Sequence, residues 1–112
     1  MSHYDNYLDR SIENLKKLDL KNGKKLLNDE YNFMKEKTIL LFNKVIESKI
    51  NHIKIKMTLA ACFWIIIKFC DDHYYYDDEI AYCFDIGSIL KKRLKSYELI
   101  ILDKIDWNLS FI

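Results

Sequence analysis

The chain has 112 residues, 18 basic and 17 acidic side chains, no proline and two glycines, and half of its residues are hydrophobic. That length holds one domain, the net charge of +1 argues against a chain built mainly to hold phosphate backbones, and the apolar fraction is too high for a disordered tail. The longest uncharged run, residues 57–67, is eleven residues long against the roughly 20 of a membrane span, so no bilayer crossing is expected.

Apolar spacing is helical throughout. Tyr4, Tyr7, Leu8, Ile12, Leu15 and Leu18 follow the three-and-four rhythm of one helix face, which ends before Lys21, Asn22 and Gly23. A weaker stretch (Leu26, Leu27) follows, and Ile39, Phe42, Asn43, Ile46 and Ile50 make a second stripe. Residues 51–56 alternate, but six residues directly before a helix read as a connector. In the uncharged run three consecutive isoleucines favour a strand on propensity alone. The run nevertheless begins with good helix formers and has no partner strand, so it reads as a helix apolar on every side. Such a helix has to be surrounded by other elements. Asp77 reads as the N-cap of a short helix carrying Ile80, Ala81, Cys83 and Phe84, with Gly87 as its stop. The last helix runs from about residue 90 to 106 on the stripe Leu94, Tyr97, Ile101, Leu102 and Ile105. Glu98 lies on that stripe, four residues after Leu94 and three before Ile101. A carboxylate there is either paired internally, with Lys95, Arg93 or Lys68, or held for a partner.

Cys62, Cys70 and Cys83 are odd in number and form no C-x-x-C pair, which predicts free thiols and a reducing, intracellular setting, cytoplasmic or nuclear. The charged N-terminus does not read as a secretory signal. Asp71, Asp72, Asp77, Asp78 and Glu79 surround His73 and three tyrosines. Cys70, Asp72 and His73 are crowded together without the separated ligand pairs of a zinc site, so no metal is expected. The cluster reads as an acidic loop able to recognise a basic partner. Lys91, Lys92, Arg93 and Lys95 form a basic patch of the kind usually found on a solvated helix face, and no nucleic-acid partner is expected. His3 and His52 stand alone. No phosphate loop, nucleophile elbow or metalloprotease motif is present, so the chain reads as noncatalytic and cofactor-free. Sixteen lysines, 16 isoleucines, eight asparagines and eight tyrosines are residues of A/T-rich codons. They suggest an A/T-rich coding sequence such as that of a protist or a large DNA virus.

The second half of the chain resembles a cyclin box. Lys68-Phe69-Cys70-Asp71-Asp72 is similar to the cyclin helix end "ASKFEE" or "AAKFLDD". Glu98 to Leu102 followed by Ile105-Asp106-Trp107-Asn108-Leu109 is similar to "E-x-x-x-L" leading into "LDF-x-L". Asp29-Glu30-Tyr31 with Thr38, Leu40 and Asn43 is similar to "EEY…TL…VN". Tyr74 and Tyr75 after the acidic pair, and the opening "DNYLDR", look closest to the phosphate-regulatory, Pcl-like cyclins. The resemblance covers residues 29–112 well and residues 1–28 poorly.

The resemblance implies an all-α, five-helix cyclin fold with a central buried helix from about Met57 to Phe69. It implies one domain, in which residues 1–28 are a divergent helical segment packed on the box. It further implies a regulatory subunit that binds and activates a cyclin-dependent kinase, with Lys68 and Glu98 touching the kinase and Phe69, Leu102, Trp107 and Leu109 packing against its regulatory helix. Taken alone, Lys68 could equally be a solvated helix end. Asp71, Asp72, Asp77 and Asp78 form a secondary acidic surface. A fold-related adaptor or decoy that binds without activating is the alternative. The stretch expected to match the first cyclin helix, about Lys16 to Tyr31, carries Gly23 and two lysines and no tryptophan. The usual substrate-docking signature is therefore missing there. The resemblance implies a single box.

Overall fold

The uncharged run is a helix, and other helices enclose it. The structure, a computed structural model, describes residues 3–24, 26–46, 51–70 and 74–110. Among them are six helices and no strand: α1 (His3–Lys21), α2 (Asn28–Val45), α3 (His52–Phe69), α4 (Asp77–Cys83), α5 (Ser88–Lys91) and α6 (Leu94–Lys104). Every helix but α5 contributes buried side chains to one apolar cluster.

Helix α3 is the hub. It packs against α1, α2, α4 and α6, and Met57 and every residue from Leu59 to Ile67 is buried. At roughly 1.5–3 kcal/mol for each large apolar side chain removed from water, this helix contributes more burial than α1, where Leu8, Ile12 and Leu15 turn inward, or α6, with Leu94, Ile101 and Leu102. It begins five residues earlier than the apolar run suggests. The Asn51 side chain accepts a hydrogen bond from the Lys54 amide at 2.8 Å and so caps the helix at the first alternating residues. The alternation in residues 52–56 is helical, and the connector is shorter than expected.

The inward face of α2 is Tyr31, Met34, Thr38, Leu41, Phe42 and Val45. It differs in phase from the stripe read in the sequence: Asn43 is exposed, Ile39 only half-buried, and Ile50 lies outside the described residues. The segment from Lys16 to Tyr31 is not one helix. It holds the end of α1, a turn and the start of α2. The expected last helix is broken after Lys91, so that a single turn, α5, leads into α6.

Three helices close in the same way. The Lys24 amide donates to the Asp19 carbonyl, Ile86 to Ala81 and Trp107 to Leu102, each at 2.8 Å. The residue before each donor is left-handed: Gly23 at φ +75°, Asp85 at +54° and Asp106 at +52°. This is the six-to-one closure that a left-handed C-terminal residue permits. Asp85, and not Gly87, stops α4, and Lys56 Nζ donates to its carbonyl at 2.7 Å. Tyr76 precedes α4 as its cap, and Glu79 accepts from the Tyr76 amide at 2.9 Å. Asp77 is therefore the first helical residue.

Burial sorts the three cysteines. Cys62 and Cys83 are buried and Cys70 is half-buried. Burial pushes the Cys62 thiol far up and Cys83 to about 12, with Asp19 adding to the rise at Cys83. A thiol reagent at pH 8 is thus expected to modify Cys70 first and the other two only in denaturant, as peptide mass spectrometry would show. No helix among the described residues is long and apolar enough to cross a membrane.

Candidate functional site

Two buried carboxylates organise the surface and the interior. The first is Glu98, 1% exposed. Leu94, Glu98, Ile101 and Leu102 share the face of α6 that meets α3, so the carboxylate enters the helix pair at the last turns of the hub. Lys68 Nζ lies 2.8 Å from Glu98 Oε2, and Lys95 Nζ lies 2.9 Å from Oε1. Both oxygens therefore face a cation. The Lys68 ammonium also sits 4.1 Å from the centre of the Trp64 ring, one turn back on α3, and 5.7 Å from that of Phe69. Cation–π attraction strengthens as water is excluded, and the Lys68 side chain is only 20% exposed. Lys95, whose side chain is 60% exposed, holds its proton above the ordinary lysine range, first because of its hydrogen bond to Glu98.

The aromatic floor is itself fixed. Trp64 Nε1 donates to the Tyr75 carbonyl at 3.0 Å, which pins the indole on which Lys68 rests. Tyr75 leads to the second carboxylate, Asp19, also 1% exposed. The Tyr75 hydroxyl donates to it at 2.9 Å and the Tyr31 hydroxyl at 2.7 Å. Asp19 thus ties α1, α2 and the segment before α4 together. Burial, then the hydrogen bond to Asp19, raise both phenols well above the ordinary tyrosine value.

Asp19 was not singled out in the sequence, although a signal was there. Leu8, Ile12, Leu15 and Asp19 are spaced four, three and four apart, the same test that isolates Glu98 on α6. Ending the first stripe at Leu18 hid it.

Of the residues grouped by sequence, the structure brings Lys68, Glu98 and Phe69 together at the α3–α6 junction. Phe69 is 53% exposed and Trp107 56% exposed. Trp107 follows α6 with its own backbone left-handed, φ +58°, and its indole N–H donates to Asp103 Oδ1 at 3.2 Å. Leu109 is half-buried against the core. Leu102 is 1% exposed. It faces inward with Ile101 and presents no surface to a partner.

The acidic and basic clusters meet at one ion pair among the described residues. Asp77 and Asp78 open α4, and Lys91 forms an ion pair with Asp78, which raises the lysine's pKa. Asp71, Asp72 and His73 lie outside the described residues. Lys92 and Arg93 are exposed, as is His52 in the first turn of α3.

No family model, no curated protein and no solved structure matches this chain.

Proposed function

We propose that this protein is a cyclin-like regulatory subunit that binds a cyclin-dependent kinase and holds it in its active state. The observation that carries the reading is the Lys68–Glu98 pair, seated beside exposed Phe69 at the end of a helix that is buried from Leu59 to Ile67. A partly exposed lysine held rigid by a buried carboxylate and an indole, next to an open aromatic ring, combines a fixed charge with an apolar anchor. That combination is typical of interface hot spots. The hub helix touching four others, with α5 as a lead-in to α6, supports the five-helix cyclin arrangement as the reading of this all-helical fold. The resemblance of Lys68-Phe69-Cys70-Asp71-Asp72 and of Ile105-Asp106-Trp107-Asn108-Leu109 to cyclin segments suggests the partner class.

On this reading Glu98 is a positioning residue, because its oxygens are taken by the two lysines. Lys68, Phe69 and Trp107 meet the kinase. Holding the kinase's regulatory helix inward assembles its own Lys–Glu ion pair and metal site, a population shift whose size is set by differential affinity for the active form.

Affinity capture of cyclin-dependent kinases, followed by histone phosphorylation by the captured complex, tests the proposal. Wild-type protein is expected to retain an active kinase. Phe69→Ala and Lys68→Ala are each expected to weaken capture by at least about tenfold, the value of a hot-spot residue, while far-UV circular dichroism stays unchanged. Equal capture by both variants would reject the surface. Capture without phosphorylation would instead assign an adaptor or decoy.

A further inference from the structure

The far end of the α3–α6 pair carries a different kind of surface. Lys68, late in α3, meets Glu98, early in α6, while Thr58, early in α3, shares a groove with Ile101 and Lys104, late in α6. The two helices therefore run antiparallel, and their other ends meet away from the Glu98 site. There a half-open groove of about 320 Å³ lies between the end of α2, the first turns of α3 and the outer side of α6. This is the lower end of the range that small ligands occupy, roughly 300–1,000 Å³.

Its chemistry is one-sided. Ile46, Ile100 and Ile101 give it apolar walls, and Ile100 is 55% exposed. Thr58 and Tyr97 contribute hydroxyls that form no hydrogen bond among the described residues. Lys54 and Lys104 line it from the same end of the helix pair, and no carboxylate of the described residues lines it. The Lys54 ammonium forms no ion pair among those residues. A greasy trough with the Lys54 cation at one end and hydroxyl donors along it is complementary to a molecule that is apolar at one end and anionic at the other.

We propose that this groove binds a small amphiphilic anion, a carboxylate on a short hydrocarbon chain. At roughly 30 Å³ per heavy atom, the space accommodates about eight carbons and the head group. The chain lies on Ile46, Ile100 and Ile101. The carboxylate faces Lys54 and accepts from the Thr58 or Tyr97 hydroxyl. The site is separate from the Lys68–Glu98 surface and does not depend on the kinase reading.

Amide chemical-shift titration of the full chain with octanoate, 1-octanol and acetate tests this. Octanoate is expected to give saturable shifts at Ile46, Thr58, Tyr97 and Ile101, and acetate none. Octanoate is expected to bind about two- to fivefold more tightly than octanol, the value of one exposed ion pair, with the margin shrinking in added salt. Lys54→Ala, at an exposed position, should erase that margin while the octanol shifts persist. Thr58→Phe should fill the groove and abolish both sets. Shifts that scatter over the surface, never saturate, or are equal for octanoate and octanol in the wild-type protein would overturn the proposal.

Discussion

Asp19→Ala is expected to lower the unfolding free energy by about 2–6 kcal/mol, because two buried phenols lose their common acceptor at about 1–3 kcal/mol each. Native domains are stable by only about 5–15 kcal/mol, so the loss is a large share of the total. Urea denaturation followed by far-UV circular dichroism measures it. Asp19→Asn keeps one acceptor oxygen and should lose about half as much. An alanine variant within about 0.5 kcal/mol of wild type would mean that Tyr31 and Tyr75 find other acceptors. The same network predicts an alkaline limit to stability. Both tyrosines hold their protons more tightly folded than unfolded, so their contribution is complete below the unfolded value of about 10. It is lost progressively as pH rises above that, because the unfolded chain then releases protons that the folded chain retains. Asp19→Asn should lessen this loss, since part of the shift comes from the carboxylate.

Glu98→Ala is the second large effect, expected at about 2–4 kcal/mol. Removing one partner of a buried pair leaves a charge without compensation, typically a loss of about 3–5 kcal/mol. Lys68 retains the Trp64 face and some access to water, which moderates the loss. Lys95 adds little, being largely solvated. A double-mutant cycle between Glu98→Ala and Lys68→Ala should give a coupling of about 1–3 kcal/mol, and a cycle with Lys95→Ala well under 1 kcal/mol. Equal couplings would show that the two lysines share the carboxylate evenly. In a kinase-capture assay Glu98→Gln, which preserves shape, should weaken binding less than Lys68→Ala. That ordering separates a residue that positions the lysine from one that touches the partner.

The all-helical class was legible because helical periodicity survives in α1 and α6 and because the apolar run of α3 is too long for a buried strand. The anomaly at Glu98 was legible for the same reason: a charge on an apolar stripe stands out. Other features were hidden by chemistry that is spelled out elsewhere in the chain. The break between α5 and α6 falls at Lys92 and Arg93, two good helix formers, so no local signal marks it. The phase of α2 is set by Tyr31 and Thr38, whose hydroxyls bond Asp19 and the Met34 carbonyl. A purely apolar count passes over both. Leu102 belongs to the right stripe but faces the hub, and sequence alone does not say on which side of a stripe the interior lies.

The hub helix has one further consequence, for how the chain can change. Helices α1, α2 and α6 each keep a solvent face on which substitutions pass with small effects. Along α3 from Leu59 to Ile67 no position is free of neighbours. A polar replacement there strands an unbonded group, and a change of size opens a void or forces an overlap. Divergence in this region is expected to proceed by volume-conserving swaps or by paired exchanges between α3 and the helix it touches at that point. Those nine residues would drift most slowly, while the outward faces around them could be rewritten almost completely.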